Sequence, residues 1–180
     1  MSIELSYREY LQADWARLAQ LTKLDTTFIW SRCFNPRFAP VAIIRSAFCL
    51  QRAGNTSLAK LFSAFNLFLF GIEVPSKLLI GPGLILPHTI GTVLGAASIG
   101  ANATIFHQVT LGAIVADYDY DLSTRPTLGD NVTVTAGAKI LGSIHLGNNS
   151  VVGANAVVLR DVPASTLAVG IPATNKPLKQ

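Results

Sequence analysis

The sequence of 180 residues has few of the features that mark several common protein classes. It has only two cysteines, Cys33 and Cys49, which stand in apolar surroundings and form no CxxC pair. Such spacing excludes a disulfide framework and a cysteine-based metal site. We therefore expect two core thiols in a reducing compartment and no metal.

Charge is also scarce, because Asp, Glu, Lys and Arg make up only 13% of the residues. The formal net charge is +4, and the basic excess lies before residue 78. A charge this small and this thinly spread argues against nucleic acid as a partner. Half of the residues are hydrophobic, which favours a homo-oligomer that buries apolar surface between copies.

No hydrophobic run is long enough to cross a bilayer, and the longest uncharged apolar segment is LFSAFNLFLFGI at 61–72. The N-terminal MSIELSYREY lacks the basic start and apolar core of a signal peptide. We expect a cytoplasmic protein. Contact between 61–72 and a membrane surface is left open but is not expected.

The first 77 residues carry a helical pattern. SYREYLQADWARLAQL at 6–21 places apolar residues at helical spacing, and VAIIRSAFCLQRA and SLAKLFSAFNLFLFG predict two further helices on either side of Gly54 and Asn55. The sequence predicts a helical N-terminal cap over 1–77.

A six-residue period replaces the helical pattern after about residue 90. Small or β-branched residues mostly stand two places before each aliphatic, and glycine often follows it, which suits a corner with unusual backbone dihedral angles. The aliphatic positions are Val93, Ile99, Ile105, Leu111, Leu128, Val134, Ile140, Leu146, Val152 and Val158. A hexapeptide period is typical of a parallel β-helix with three hexads to a turn.

The period predicts a β-helix over 78–162 and a C-terminal extension over 163–180. One polar, aromatic segment, IVADYDYDLSTR at 114–125, interrupts the hexads between two regular coils. We call this segment the excursion. Loops that leave a rigid scaffold often carry function.

Several motifs resemble one known family. The hexads, the excursion after VTLG, the AGAKILG coil, the VPASTLAVGIPA ending and the N-terminal YREYLQADWARL and NPRF are similar to the serine acetyltransferase branch of the hexapeptide acyltransferases. The chain looks most like the short members that acetylate sugars, such as the colanic acid acetyltransferases. The resemblance implies a mainly β fold, a left-handed parallel β-helix with an α-helical cap, assembled as a homotrimer.

Acetyl transfer to a hydroxyl needs a base, and histidine is the usual one because its ordinary pKa lies near neutrality. His88 falls on the family's Leu-Asp-His-Ala-Thr-Gly-Ile-Val motif together with Gly91 and Val93. The resemblance implies that His88 is the catalytic base. It also places Glu73 where the family has a carboxylate that polarises this histidine.

His107 and a set of small residues complete the candidate site, and the third histidine, His145, is not part of it. His107 faces either the cleft or solvent, whereas His145 is expected on an outer, solvated face. The resemblance implies that acetyl-CoA lies against four small residues, Gly112, Ala113, Ala136 and Ala154. Each of these positions also suits a plain hexad corner.

Two departures from the family pattern concern the acceptor. Pro87 replaces an aspartate that helps to hold the amino group of serine, and Thr124-Arg125-Pro126 replaces Arg-His-Pro. Arg125 keeps the capacity to bind an anion, and the excursion offers carboxylates and rings for a sugar, among them Asp117. A charged substrate group left without its partner costs about 1–3 kcal/mol, which weakens serine as the substrate.

We therefore predict an acetyl-CoA-dependent O-acetyltransferase that modifies a sugar hydroxyl in cell-surface polysaccharide biosynthesis. His88 and Glu73 are the predicted catalytic pair, and Thr124, Arg125, His107 and Asp117 are predicted to bind the acceptor. Serine O-acetylation in cysteine biosynthesis is the alternative. A catalytically idle β-helix scaffold is the remaining possibility.

Overall fold

A computed structural model describes residues 5–178, beginning with a short helical region. Helix α1 spans Tyr7–Thr22 and starts with a capping box, in which the Ser6 hydroxyl accepts from the Glu9 backbone and the Glu9 carboxylate accepts from the Ser6 backbone. A 3₁₀ turn follows at Trp30–Phe34. Helix α2 spans Ala39–Arg52, and helix α3 spans Thr56–Phe70.

The ends of α2 and α3 follow from their flanking residues. Pro40 lies in the first turn of α2, where its missing N–H costs no hydrogen bond. Asn55 caps α3 by accepting from the Leu58 backbone N–H, and Gly71 ends it in the left-handed conformation. The three helices are those that the sequence predicts.

Short strands occupy most of the remaining chain. They are β1 Ile72–Glu73, β2 Leu79–Ile80, β3 Thr92–Leu94, β4 Ser98–Ile99, β5 Thr104–Ile105, β6 Thr110–Gly112, β7 Thr127–Leu128, β8 Thr133–Val134, β9 Lys139–Leu141, β10 His145–Leu146, β11 Val151–Val152, β12 Val157–Val158, β13 Thr166–Gly170 and β14 Ala173–Pro177. A second 3₁₀ turn, Leu122–Thr124, lies in the excursion.

The strands form three sheets, and the chain contributes strands to them in turn. Sheet I has the order β1-β3-β6-β9-β12, sheet II the order β10-β7-β4-β2, and sheet III the order β14-β13-β11-β8-β5. Every pairing is parallel except that of β13 with β14. From β4 to β12, consecutive strands enter successive sheets, so three strands complete one turn. The structure is mainly β with parallel sheets, as predicted.

The predicted inward positions are buried, with one exception. Ile105, Leu111, Ile140 and Val152 have no accessible surface, but Val93 is only partly buried. Leu94 is the inward residue of β3 and pairs with Leu111. The prediction for Val93 was wrong because the corner between β3 and β4 is one residue shorter than the later corners.

The corner glycines serve a purpose that differs from the predicted one. Gly100, Gly129 and Gly147 do not have positive φ angles. A Cβ on Gly147 would lie 2.5 Å from the Ala164 nitrogen, and a Cβ on Gly100 would lie 2.5 Å from the Gly129 backbone. Glycine therefore allows adjacent coils to approach closely, while asparagines such as Asn131 supply the left-handed dihedral angles.

A buried ion pair joins the helices to the first coil. Asp14 in α1 and Arg45 in α2 are 0% and 1% exposed, and their closest N···O distance is 2.8 Å. Arg45 also donates to the carbonyls of Ile80 and Gly81, and Asp14 accepts from the backbone N–H groups of Gly83 and Leu84. The helical region therefore has a fixed position on the β-helix.

The C-terminal residues extend sheet III. Strand β13 pairs with β11, and the antiparallel strand β14 covers the outer edge of β13. The division into a cap (1–77), a β-helix (78–162) and an extension (163–180) stays a prediction. Within residues 5–178, no helix has both the length and the apolar character to cross a bilayer.

Candidate active site

His88 lies in the irregular segment that enters the β-helix ahead of β3. The neighbouring Thr89 hydroxyl donates to the Phe70 carbonyl at 2.7 Å, and the Gly91 N–H donates to the Gly71 carbonyl at 2.9 Å. These bonds tie the segment to the end of α3. The His88 side chain is exposed, so its imidazole is open to a substrate.

The structure brings His107 next to His88. Their ring centroids are 5.5 Å apart, and the ring planes meet at 85°. The contact arises because one coil lies directly on the next, with the Gln108 N–H donating to the Ile90 carbonyl. Within residues 5–178, Nδ1 of His107 is buried without a hydrogen-bond partner. The His107 ring therefore packs against His88, although His107 is not among the residues that line the cavity beside His88.

Four of the predicted site residues form a column beside sheet I, at the corner of the coil where the strands of this sheet begin. His88, His107, Ala136 and Ala154 precede β3, β6, β9 and β12, respectively. The Gly137 N–H donates to the His107 carbonyl, and the Asn155 N–H donates to the Ala136 carbonyl, which fixes the register of successive coils. We call this column the imidazole edge.

The other two residues predicted to bind acetyl-CoA lie on the opposite side of sheet I, where its strands end. Gly112 ends β6, and Ala113 follows it at the start of the excursion. A Cβ built on Gly112 would meet no heavy atom within 4 Å, so the surface is open there. Gly112 and Ala113 are therefore separated from the imidazole edge by the width of the sheet.

Glu73 is not joined to His88. It is an exposed residue of β1, next to Val93 of β3 in the sheet register. Among the described residues, no hydrogen bond or ion pair links Glu73 to His88. The structure therefore places this predicted pair in the same region without a hydrogen bond between the two side chains.

Arg125 and Asp117 bind each other across the excursion. Arg125 Nε and Nη2 donate to the same Asp117 carboxylate oxygen at 3.0 and 2.7 Å, and Nη1 donates to the Gly95 carbonyl. Arg125 is 9% exposed. Both were predicted to bind the acceptor, but here each satisfies the other and closes the excursion against the β-helix.

Tyr120 completes this contact, and we call Asp117, Tyr120 and Arg125 together the excursion latch. Arg125 Cζ lies 3.9 Å from the centre of the Tyr120 ring, and Lys77 Nζ lies 4.6 Å from it. The Tyr120 hydroxyl donates to the Ala96 carbonyl. Burial raises the pKa of Tyr120 to about 12, although the charge of Arg125 opposes the shift.

The Asp117 carboxyl responds to two opposing effects. Partial desolvation acts to raise its pKa, but hydrogen bonds from Arg125 and from the Asp121 backbone act more strongly together. The pKa of Asp117 is consequently lowered. The carboxylate is thus charged, and the latch intact, near neutral pH.

A cavity of about 240 Å³ opens beside His88. Its wall includes Thr22 from α1 and Arg37 from the turn before α2, together with Pro87 and His88 itself. Neither Arg37 nor Thr22 was predicted as a site residue. The local sequence NPRF does not indicate that Arg37 belongs to the site, because its place beside His88 depends on how the helices pack on the first coil.

The other predicted residues lie away from this cavity. Thr124 ends the 3₁₀ turn of the excursion, where its hydroxyl donates to the Asp121 carbonyl. His145 is exposed on sheet II, and its Nδ1 lies 3.0 Å from the Thr127 hydroxyl. Within residues 5–178, no three His, Cys, Asp or Glu side chains are grouped closely enough to hold a metal ion.

Comparisons with known proteins agree with this fold. The bacterial transferase hexapeptide family (six repeats) matches residues 125–160. A serine acetyltransferase of Mycobacterium tuberculosis is 39% identical over 131 residues, which are 71% of this chain and 55% of that protein. One from Helicobacter pylori is 41% identical over 127 residues, covering 70% of this chain and 72% of that protein. The chain thus spans little more than half of some relatives and most of others.

Solved structures extend the similarity over nearly the whole chain. Soybean serine acetyltransferase complexed with serine covers 97% of this chain and 71% of its own, with 35% identity and a TM-score of 0.82. A serine acetyltransferase in complex with CoA covers 95% of this chain and 70% of its own, with 27% identity and a TM-score of 0.80. The fold and these matches define a hexapeptide-repeat transferase. Within that class, the chain belongs to the serine acetyltransferase family.

Proposed function

We propose that the protein is an acetyl-CoA-dependent O-acetyltransferase, with L-serine as its leading acceptor. The observation that carries the proposal is the position of His88, which lines an open cavity at the imidazole edge. Family membership supports acetyl transfer, and the relatives named above support serine. This ranking reverses the predicted order of the two acceptors.

In this mechanism His88 moves one proton. It accepts the proton of the acceptor hydroxyl as the oxygen attacks the carbonyl carbon of the thioester, and it returns the proton to the sulfur of the departing thiol. Acetyl-CoA, when bound, supplies the activated acyl group. No covalent enzyme intermediate is needed, because the acceptor oxygen attacks directly.

The donor is proposed to lie along the small residues that end at His107. Ala136 and Ala154 continue the imidazole edge away from the histidines, so an extended pantetheine arm at this edge would reach the His88 cavity with its thioester. Gly112 and Ala113 remain proposed donor contacts at the opposite edge. They fit a site at which a neighbouring copy supplies the second wall.

Assembly and handedness are part of the same proposal. We infer a left-handed coil and a homotrimer from the resemblance to the family. A trimer would place the edges of sheet I near neighbouring copies, which is how Gly112 of one copy and Ala136 of another could border one donor site. Cross-linking followed by mass determination tests the trimer directly.

Glu73 remains the proposed partner of His88. Among the described residues of the single chain, no hydrogen bond or ion pair joins the two side chains. A Glu73→Gln variant tests the assignment. A fall in kcat with an unchanged KM for acetyl-CoA supports it, since the amide no longer stabilises the imidazolium. An unchanged kcat removes Glu73 from the mechanism.

A sugar hydroxyl is the second candidate acceptor, and three observations favour it. Pro87 offers no charge beside His88, and Arg125 is already paired with Asp117. Tyr118 in the excursion is 97% exposed and is available to stack on a sugar ring. Under this candidate the product belongs to cell-surface polysaccharide synthesis.

The deciding experiment is thiol release from acetyl-CoA by the purified protein. L-Serine and a panel of free and nucleotide-linked sugars are supplied in parallel. Release with L-serine supports the leading proposal, and release with a sugar only supports the second. A protein that releases no thiol with any acceptor is a scaffold, which would contradict both.

A further inference from the structure

Arg37 is the charged side chain of the cavity that His88 lines. Most of the remaining wall is apolar, and it includes Leu18, Leu21 and Leu86. Among the described residues, no carboxylate lines this cavity. Arg37 is itself exposed, and no carboxylate of the described residues pairs with its positive charge, so the guanidinium is accessible to an anion that enters the open cavity.

The position of Arg37 is fixed by the backbone rather than by a partner for its guanidinium. Its N–H donates to Asn35 Oδ1 at 3.0 Å, in the turn between the first 3₁₀ segment and α2. Within residues 5–178, no hydrogen bond or ion pair occupies the guanidinium. All five of its N–H donors are therefore free for a ligand.

The start of α2 adds to the positive potential near Arg37. Helix α2 begins at Ala39, its N-cap Phe38 makes no side-chain hydrogen bond, and its first turn contains no acidic residue. The Ala39 N–H donates to the Asn35 carbonyl, but no side chain compensates the positive end of the helix dipole within two residues of Arg37. Both features favour an anion on this side of the cavity.

Arg125 does not offer the same possibility. Its Nε and both terminal nitrogens donate to Asp117 or to the Gly95 carbonyl, and the side chain is 9% exposed. An anionic group of an acceptor would have to displace the Asp117 oxygen that accepts two hydrogen bonds from Arg125. At Arg37 nothing has to be displaced.

We propose that Arg37 binds an anionic group of the acceptor and thereby directs the acceptor hydroxyl to His88. This inference rests on the proposed function and specifies its substrate class as a hydroxyl compound that carries an anion. The carboxylate of L-serine and the phosphate of a sugar phosphate share this chemistry. The cavity, about 240 Å³, holds a group of amino-acid size beside the imidazole.

The test compares Arg37→Gln, which removes the charge, with Arg37→Lys, which keeps it. With L-serine as the varied substrate, Arg37→Gln is expected to raise KM by about tenfold or more, because a charge-assisted hydrogen bond is lost. The KM for acetyl-CoA should not change. Arg37→Lys should recover part of the loss, which a purely structural role would not predict.

The matched control is Arg8→Gln. Arg8 is an exposed residue of α1 that does not line the cavity, so this change removes the same charge elsewhere in the helical region. L-Serinamide supplies a second control because it lacks the carboxylate. Wild type should prefer L-serine to L-serinamide, and Arg37→Gln should lose most of that preference.

A parallel arm replaces L-serine with glucose 1-phosphate and with glucose. If the natural acceptor is a sugar phosphate, Arg37→Gln lowers kcat/KM for glucose 1-phosphate about tenfold or more and leaves glucose unaffected. An Arg37→Gln variant with wild-type KM and wild-type discrimination in both arms overturns the inference. A wild-type protein that transfers acetyl to no acceptor overturns the proposed function instead.

Discussion

The imidazole rings of His88 and His107 meet edge to face, with centroids 5.5 Å apart. They come from successive coils and precede β3 and β6 of the same sheet. Because the Gln108 N–H donates to the Ile90 carbonyl, the backbone next to each histidine has a fixed position relative to the other. A rigid edge with two imidazoles is a suitable place for proton transfer to and from an acceptor.

The first prediction concerns His88. His88→Ala should lower kcat by about 10²–10⁴-fold, because general base catalysis is lost. His145→Ala is the matched control, since His145 is exposed on another sheet. Rates of thiol release are compared after light scattering has shown that the variants assemble alike. Wild-type kcat in His88→Ala would contradict the assignment of the base.

The second prediction separates a functional role of His107 from a structural one. Nδ1 of His107 is buried without a partner, so replacing the ring by an apolar one removes an unsatisfied polar atom. His107→Phe should therefore keep or raise the melting temperature. The same variant should lower kcat/KM for the acceptor about tenfold, if one hydrogen bond to a reacting group is lost.

Thermal unfolding and steady-state kinetics of His107→Phe check both halves of this prediction. His107→Asn is a useful companion because it retains a side-chain N–H. Recovery of part of the activity in His107→Asn supports a hydrogen bond from position 107. Full activity in His107→Phe would show that the nitrogen atoms of His107 take no part in the reaction.

The hexapeptide period allowed the β-helix to be predicted well, because each hexad fixes its own inward residue. Ile140, Leu146 and Val152 are all buried, as the local pattern requires. Val93 was misplaced because one short corner shifts the register of β3, and Leu94 faces the core instead. A period measured from later coils cannot reveal a missing residue in the first one.

The candidate site was only partly predictable, for a different reason. His88 and His107 stand out because the chain has three histidines and acyl transfer needs a base. Arg37 and the Arg125–Asp117 pair depend on contacts between distant or irregular segments, which no spacing encodes. Arg125 was predicted to bind the substrate, but the Asp117 carboxylate of the same excursion already occupies its guanidinium.

The third prediction concerns the buried pair Asp14 and Arg45. Asp14→Ala leaves the Arg45 guanidinium buried without its carboxylate and leaves the N–H groups of Gly83 and Leu84 unpaired. Removing one partner of such a pair costs about 3–5 kcal/mol of unfolding free energy. Urea unfolding at a single protein concentration measures the loss, since oligomer stability depends on concentration.

Asp25→Asn provides the comparison for Asp14→Ala. The Asp25 side chain is 64% exposed, and its contact with Arg32 spans 3.9 Å. Solvent screens an ion pair of this kind, so its loss should have little effect on the urea midpoint. Equal midpoints for the two variants would show that the Asp14–Arg45 pair does not anchor the helices to the first coil.

The last prediction concerns the pH range over which the excursion latch holds. The folded pKa of Tyr120 is raised to about 12, so its contribution to stability is complete below the ordinary tyrosine pKa of about 10 and is lost as the pH rises through about 12. The folded pKa of Asp117 is lowered, so its contribution is present above the ordinary carboxyl range and is lost as the pH falls through the lowered value. Absorbance titration of tyrosinate should therefore show an ionisation near pH 12 that Tyr120→Phe removes. An unchanged titration above pH 11 in Tyr120→Phe would mean that the ring is not held between Arg125 and Lys77 in solution.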